Sequence, residues 1–372
     1  MKRKKVDWSQ APKELLGLIA ERLNSIEDYV RFGAVCKSFR LVILDHRNSN
    51  FSPKTLPWLM FPLSMKVDED VDVDEDEDEN GIKNPDFYSV RGNKCYKFYL
   101  PEPRSCFFTG SRYGWLILYC EQRVELYNPL AADHIPLPQL FKLKSYVFNI
   151  ARLFMPCPPY SVPFSVDRYI VVVDSLKDGL FFIRAGDPAW TTIQVADGHV
   201  GFTDVLHLNN GFYLVDSRGI IRHFDITSPN PVATQFAKPP KDIRYEEYSF
   251  YLVELLGELH LVVKYEAFED HRTFHFQVYK LDLSTKKWEE VFTLGDYTFF
   301  IGRTSSFSIR ASDFERCRRG CIYFNDVLDG GWTTTRDIWI FDLESEDMDV
   351  LHTGAKDLNL FSCPAWFIPT LL

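Results

Sequence analysis

The stretch VDWSQAPKELLGLIAERLNSIEDYVRFGAVCKSFRLVILDHRN, residues 6–48, carries the helical signals of this chain. Apolar residues recur at helical spacing over about Pro12–Leu23, and proline suits a first helical position because its missing N–H is not needed there. Ser25 and Asp28 have the spacing of a capping box, which predicts a second helix directly after Ser25. The apolar segment Ser38–Leu44 predicts a third helix. The stretch therefore predicts a unit of three short helices.

This unit has more apolar side chains than three short helices can hide from water, since so small a unit buries a poor fraction of its surface. An exposed apolar patch on helices usually marks a protein interface. The residues predicted to bind a partner are Pro12, Leu15, Leu16, Ile19, Leu23, Val35, Cys36 and Phe39.

The same stretch resembles the F-box. The shared pattern is W-x-x-x-P-x-E-L-L-x-x-I-x-x-R-L followed by D-x-x-R-F-x-x-V-C-K-x-(W/F)-R, and it runs from Trp8 to Arg40. Two departures, Ala11 in place of the usual Leu and Phe39 in place of the usual Trp, remain apolar. The resemblance implies docking on the Skp adaptor of a cullin–RING ubiquitin ligase. A helical cap on the C-terminal domain is the alternative interpretation.

The composition describes a chain that can bury a large core, with 372 residues of which 46% are hydrophobic and 15% aromatic. The net charge of −10 is local, because residues 68–79 hold ten acidic side chains and the rest of the chain is balanced. No basic stripe points to nucleic acid, and no apolar run predicts a membrane span. The N-terminus lacks the apolar core of a signal peptide, and the eight scattered cysteines are expected to be free thiols in a reducing compartment, the nucleus and/or the cytoplasm.

Beyond the helical unit, residues 6–48, we predict a linker over residues 49–85 that contains the acidic run 68–79. The run combines like charges with low hydrophobicity, so it is predicted to be disordered. A solvated insertion is the simpler interpretation, and a docking tail for a basic partner is the alternative.

From residue 86 to residue 372 the chain reads as short strands separated by turn signals. Several segments repeat the order strand, Gly-type turn, strand, Asp or Asn-Pro corner and closing strand, at the ~35–50-residue period of propeller blades. The repeated units begin at Gly114, Tyr169, Asp204, Tyr251 and Cys321, and a degenerate unit is placed in Lys142–Phe164. The predicted fold class is α+β multidomain, with a three-helix unit followed by an all-β propeller of five or six blades. A pair of stacked β-sandwiches is the alternative.

These β segments also resemble one plant F-box family, whose C-terminal region is a kelch-like propeller domain of unknown function. The resembling pieces include GSRYGWL (Gly110–Leu116), YNPLAADHIPLP (Tyr127–Pro138) and VYKLDLSTKKWEEVFTLGDYTFFIG (Val278–Gly302). The resemblance implies a substrate-recruiting propeller but supplies no ligand. The apolar C-terminus SCPAWFIPTLL is predicted to close the ring by pairing around Phe98–Phe108 or Trp115–Tyr119.

A search for reactive motifs finds no GxSxG, P-loop or GxGxxG before a helix, so no cofactor and no catalytic residue are expected. The pairs His271/His275 and Cys317/Cys321 have an i, i+4 spacing, but such residues on a strand lie ~13 Å apart, too far to share one zinc ion. Trp332, close to Arg336 in the loop DGGWTTTRD, is a weak candidate for substrate binding. Trp190, Trp288 and Trp339 are instead assigned to packing.

The sequence thus predicts a non-catalytic subunit of a ubiquitin ligase. Its partners would be a Skp adaptor, through it a cullin, and an unknown protein target. Two alternatives remain: an F-box scaffold that acts outside the ligase, and a propeller enzyme or lectin with a helical cap.

Overall fold

The computed structural model describes residues 7–23, 25–48, 55–61, 86–98, 106–111, 113–120, 123–140, 150–154, 168–175, 178–198, 201–243, 248–269, 272–328, 333–353, 356–358 and 364–370. The acidic run 68–79, Trp332 and the side chain of Arg336 lie outside what is described.

Three α-helices follow a 3₁₀ turn at Trp8–Gln10: α1 (Lys13–Ala20), α2 (Ile26–Ala34) and α3 (Lys37–Asn48). The Asp28 backbone N–H donates to Ser25 Oγ over 3.1 Å, so the capping box predicted the start of α2 correctly. Helix α1 is shorter than Pro12–Leu23, and α3 is longer than Ser38–Leu44. The three predicted helices are therefore confirmed, with shifted ends.

Helix α3 lies between the other two and contacts both. The Tyr29 hydroxyl of α2 lies 2.8 Å from His46 Nδ1 of α3, and the Phe32 and Phe39 rings are 4.5 Å apart. On the α1 side, Gly17 lies beside the ring of His46, where an added Cβ would stand at an ordinary contact distance of 3.7 Å from Nε2. The buried core of this helical unit is formed by Leu16, Ala20, Tyr29, Phe32, Phe39 and Val42.

The rest of the described chain is mostly strand, arranged in five sheets. The closing sheet, in the order β26-β1-β2-β3, consists of β1 (Trp58–Phe61), β2 (Asp86–Ser89), β3 (Lys94–Lys97) and β26 (Ala365–Phe367). The second sheet consists of β4 (Cys106–Thr109), β5 (Leu116–Cys120), β6 (Arg123–Asn128) and β7 (Asp133–Pro136). The eight-stranded sheet consists of β8 (Ile150–Phe154), β9 (Ile170–Ser175), β10 (Gly179–Arg184), β11 (Thr191–Val195), β12 (Phe202–Leu208), β13 (Gly211–Asp216), β14 (Ile221–Phe224) and β15 (Val232–Ala237).

Two more sheets complete the chain. The fourth sheet consists of β16 (Tyr248–Leu255), β17 (Glu258–Glu266), β18 (Thr273–Leu281) and β19 (Trp288–Val291). The fifth sheet consists of β20 (Tyr297–Ile301), β21 (Phe307–Arg310), β22 (Cys321–Leu328), β23 (Thr333–Asp342), β24 (Met348–His352) and β25 (Lys356–Leu358).

This arrangement is propeller-like, as predicted. The eight-stranded sheet is two antiparallel four-stranded units, joined by short parallel pairing between β11 and β15. Strand β8 lies inside Lys142–Phe164, where a degenerate unit was predicted, but it pairs with β9 and so belongs to the same unit as Tyr169. The number of blades stays a prediction.

The predicted linker over residues 49–85 is wrong for Trp58–Phe61, which forms β1. This strand pairs with β2 through Trp58↔Ser89 and with β26 through Trp58↔Phe367. Pro57 and Pro62 exclude a helix here, but they bound a strand rather than a linker. The C-terminus was predicted to pair around Phe98–Phe108 or Trp115–Tyr119. This prediction is also wrong, because the C-terminal strand β26 pairs with β1.

Repeated polar contacts hold the units in shape. The side chains of Asp225, Asp282 and Asp342 each accept a hydrogen bond from the backbone N–H two residues later, at 2.8–3.0 Å. Aspartate side chains commonly stabilise turns at strand ends in this way, by accepting from nearby backbone N–H groups. Trp190 Nε1 donates to the carbonyl of Pro138 and Trp288 Nε1 to that of Lys238, both over 2.7 Å. Each tryptophan therefore links the outer strand of its own four-stranded unit to the segment that leads into that unit from the preceding one.

Candidate partner-binding surface of the helical unit

The residues predicted to bind a partner occupy three different environments. Leu16 is 0% exposed and Phe39 8%, since both belong to the helical core. Val35 is 63% exposed and Leu15 44%, and Pro12 is also exposed. The half-buried members are Ile19, Leu23 and Cys36.

The structure thus places Leu16 and Phe39 in the core rather than at the surface, and their predicted part in partner binding stays a prediction. Leu16 and Ala20, four residues apart, lie on one face of α1 and point into the core. Phe39 turns toward Phe32 of α2. A truncation of either side chain tests the stability of the unit before it tests a contact with a partner.

The structure adds exposed apolar residues that the sequence reasoning missed. Two pairs stand three residues apart on one helix, Leu15 with Leu18 on α1 and Leu41 with Leu44 on α3, so each pair shares a helix face. Together with Leu15 and Val35, which the sequence predicted, the added residues form a set that we call the exposed apolar residues of the helical unit: Trp8, Leu15, Leu18, Val30, Val35, Leu41 and Leu44. For Leu15, Leu18, Val30, Leu41 and Leu44, which lie within α-helices, the helical period contained this signal, because these positions fall off the stripe that forms the core.

Ion pairs on the unit are at its surface. Lys13 of α1 pairs with Asp45 of α3, and Arg31 lies 3.2 Å from Asp28 within α2. Exposed pairs of this kind contribute little to stability, about 0–1 kcal/mol. Hydrogen bonds from the hydroxyl and backbone N–H of Ser9 lower the pKa of Asp7. The exposed apolar side chains are therefore the main candidates for contact with a partner.

One end of α2 is attached to the propeller. Ile26 is fully buried among residues of the closing sheet and its neighbours, including Trp58 and Phe87. Ser89 Oγ donates to Glu27 Oε1 over 3.1 Å. The start of α2 thus fixes the helical unit to the closing sheet and leaves the exposed apolar residues of the unit accessible to solvent.

The residues considered for zinc serve other purposes where they are described. His275 of β18 stacks on Tyr265 with ring centroids 5.8 Å apart. Burial raises the pKa of both the Cys317 and the Cys321 thiol to about 12, which favours the protonated form over the thiolate that binds metal. Among the described residues, no three His, Cys, Asp or Glu side chains are grouped so that they could hold an ion. His271 lies outside the described residues.

No helix in the described part of the chain has the length and apolar character needed to cross a bilayer. Taken together, the described elements define a propeller-like protein with a three-helix unit at its N-terminal end.

The KIB1-4 beta-propeller family model matches residues 87–342, which is more than half of the chain. The chain belongs to this family.

Curated relatives come from Arabidopsis thaliana. F-box protein SKIP23 is 26% identical, with 96% of this chain and 95% of the relative aligned. F-box/kelch-repeat protein At1g57790 is 28% identical, with 86% of this chain and 83% of the relative aligned. The resemblance to plant F-box proteins with a β-propeller is thereby confirmed, whereas the kelch-like detail is not.

Among solved structures, the Cps50 (Swd1) beta-propeller domain of Myceliophteria thermophila aligns at 9% identity and a TM-score of 0.41, over 74% of this chain and 82% of that domain. At this TM-score the overlap supports no conclusion.

Proposed function

We propose that this protein is the substrate-recognition subunit of an SCF-type cullin–RING E3 ubiquitin ligase. The helical unit docks on a Skp adaptor, and the propeller recruits a protein target for ubiquitination. The chain itself supplies no catalytic residue.

One observation carries this proposal, the concentration of exposed apolar side chains on the helical unit. Of the 13 strongly exposed large apolar residues in the described part of the chain, seven lie between Trp8 and Leu44. Solvent exposure of so many large apolar groups on a small unit is costly unless a partner covers them. The resemblance to F-box proteins supports a Skp adaptor as that partner.

The proposed mechanism is positional. The attachment of α2 to the closing sheet, through buried Ile26 and the Ser89–Glu27 hydrogen bond, fixes the helical unit on the propeller. A target held by the propeller is then kept at a high effective concentration near the ubiquitin-charged enzyme.

Reconstitution tests the proposal. Purified full-length protein, a Skp adaptor and a cullin are mixed and separated by size-exclusion chromatography. We expect one complex of all three, in which the cullin is retained only when the adaptor is present. Adaptor binding without retention of the cullin would favour a scaffold outside the ligase, and the absence of adaptor binding would contradict the proposal.

A further inference from the structure

Three phenylalanines on the outer part of the fourth sheet are strongly exposed. Phe268 lies in the loop between β17 and β18 and is 79% exposed, Phe292 directly follows β19 and is 63% exposed, and Phe274 lies on β18 and is 44% exposed. The other phenylalanines whose side chains the structure describes are buried or half-buried. Three large aromatic side chains exposed on one sheet are typical of a binding surface.

A β-bulge exposes Phe274. The register of β17 and β18 shifts by one residue between Tyr265 and Glu266, and Phe274 is the extra residue on β18 that the register skips. A bulge of this kind re-aims a side chain that regular alternation would direct elsewhere. The exposure of Phe274 is therefore built into the backbone of the sheet.

Phe274 and Phe292 lie on the same side of the sheet. The centroid of the Phe274 ring is 6.3 Å from that of Tyr265, whose hydroxyl donates to Gln277 Oε1. Gln277 donates from Nε2 to Glu290 Oε1 over 2.7 Å. Phe292 comes two residues after Glu290, so the strand period, continued by one residue, places these two side chains on one side. The two exposed phenylalanines therefore flank one row of hydrogen-bonded side chains.

One short segment of polypeptide can reach both rings. The pairing of β18 with β19, continued by one residue, puts Phe292 opposite Gln277, which is three residues along β18 from Phe274. Three residues of strand rise and one strand spacing place the Cα atoms of the two phenylalanines about 11 Å apart. A segment of about four extended residues spans this distance.

The third phenylalanine lies at the loop end of the same strand. The Ala267 backbone N–H donates to the carbonyl of Arg272 over 2.9 Å, so the loop that holds Phe268 is closed two residues before Phe274. We call Phe268, Phe274 and Phe292 the aromatic edge of the fourth sheet. Aromatic residues are enriched at the centres of protein interfaces, so this edge has the composition of a protein-binding surface.

An acidic turn of the fifth sheet lies beside the aromatic edge. The residues that follow Phe274 and Phe292, His275 and Thr293, both contact the turn between β23 and β24. The Thr293 hydroxyl donates to Glu344 Oε1, and His275 Nδ1 lies 4.0 Å from Glu346 Oε2. Both of these glutamates are exposed.

The charges around the aromatic edge select the kind of partner. The β17–β18 loop contributes one exposed cation among its described residues, Arg272. The acidic side chains around the edge are Glu269, Glu290, Glu344 and Glu346. A partner with basic side chains therefore complements this surface. A second copy of the chain does not, because a two-fold contact would place the same acidic groups against each other.

We propose that the aromatic edge binds a segment of a protein target that carries apolar and basic side chains together. The apolar side chains cover the phenylalanine rings, and the basic ones pair with the surrounding carboxylates. That this target is ubiquitinated rests on the proposed function. Binding at the aromatic edge does not, because the helical unit is attached to the closing sheet whereas the aromatic edge belongs to the fourth sheet.

Peptide selection on the immobilised full-length protein tests this surface. The probe is a phage-displayed library of random linear peptides, selected in parallel on the wild type and on Phe274→Ser/Phe292→Ser. We expect peptides that are enriched on the wild type but not on the variant, and these should combine apolar residues with Lys or Arg. Adaptor and cullin are absent from this experiment, so a failure of the proposed function leaves its result unchanged.

Fluorescence polarisation with the most enriched peptide measures the separate contributions. Phe274→Ser/Phe292→Ser should weaken binding about a hundredfold. Glu344→Gln/Glu346→Gln should weaken it about three- to tenfold at low salt and less at high salt, because salt screens exposed charges. The matched control is Leu256→Ser, a change at a 72% exposed position in the turn at the other end of β17, which should bind as the wild type does.

Three results would overturn the proposal. The first is a selection that enriches no peptide dependent on the phenylalanines. The second is enrichment of peptides without basic residues, or an equal loss of affinity in Leu256→Ser. The third is a concentration-dependent dimer of the wild type that Phe274→Ser/Phe292→Ser abolishes, which would assign this edge to a second copy of the chain. If Phe274→Ser prevents folding, Phe268→Ser/Phe292→Ser, at the two most exposed positions of the edge, decides the question in its place.

Discussion

Two adjacent leucines of α1 differ in solvent exposure, and sequence periodicity alone does not show which of them is buried. Leu15 and Leu16 are both leucines in the F-box pattern, yet Leu16 is fully buried and Leu15 is 44% exposed. A helix of eight residues carries apolar side chains on more than one face, so composition alone does not separate core from surface.

Leu16→Ala and Leu15→Ala should therefore differ in stability. The first change leaves a cavity in the helical core and should lower the free energy of unfolding by about 2–5 kcal/mol, whereas the second should change it by less than about 0.5 kcal/mol. Denaturant titration followed by far-UV circular dichroism measures both, with each variant serving as the control of the other. Equal losses would contradict the assignment of core and surface.

Three histidines, of which His260 is buried and His207 and His223 are half-buried, should make stability depend on pH. Burial lowers the pKa of His207, His223 and His260 below the ordinary 6.5. The unfolded chain then binds protons that the folded chain does not, so stability falls as the pH drops through about 6.5 toward the folded pKa. The melting temperature should accordingly be lower at about pH 5.5 than at about pH 7.5.

The His260→Gln variant should lose less stability than the wild type when the pH is lowered. The control is His134→Gln, a change at an exposed position of β7, which should lose as much as the wild type. Burial raises the pKa of Asp204 and Asp326, which act in the opposite direction at lower pH. The comparison between variants therefore isolates the histidine contribution. A His260→Gln protein with the full wild-type loss would show that this ring does not contribute.

At the scale of elements, local signals predicted α2 and the repeated turns but not β1. The capping box at Ser25 is local, and so are the aspartate turns at Asp225 and Asp282. Strand β1 has four residues between two prolines, and its partner β26 lies about 300 residues away in the chain. No local sequence pattern indicates a pairing between strands so far apart in the chain. For this reason Trp58–Phe61 was assigned to a linker, and the C-terminal strand was assigned to the wrong partner.

The acidic run joins β1 to β2 in sequence, and we predict that it is dispensable. Deletion of Asp68–Glu79 removes side chains that have little apolar surface to bury. It also halves the connection between two paired strands, which should stabilise the fold by about 0.6 kcal/mol at most. Differential scanning calorimetry should show an unchanged or slightly raised melting temperature, and a drop of many degrees would mean that the run packs against the fold.

At the scale of the whole molecule, the ends of the chain hold the ring together. Trp366 of β26 is fully buried and donates from Nε1 to the carbonyl of Ile301 over 3.0 Å. The Ile368 backbone N–H donates to the carbonyl of Ser111 over 3.2 Å. The C-terminal strand therefore contacts the closing, second and fifth sheets at once.

Removal of Ala365–Leu372 should open the ring. Strand β1 would become an unpaired edge with buried apolar residues exposed, which promotes aggregation. We expect the truncated protein in the insoluble fraction, while deletion of Met1–Lys5 should leave the protein soluble. A soluble truncated protein with a cooperative melt would contradict closure by β26.

The central claim, that the helical unit binds a Skp adaptor through its exposed apolar residues, has a direct measurement. It is the dissociation constant for the adaptor, determined by biolayer interferometry for the wild type, for Leu15→Ser/Val35→Ser and for the propeller control Val232→Ser/Val350→Ser. Each truncated interface residue should cost about 1–3 kcal/mol, so the helical variant should bind about a hundredfold more weakly and the control should match the wild type. Wild-type affinity in the folded helical variant, or an equal loss in the propeller control, would contradict the claim.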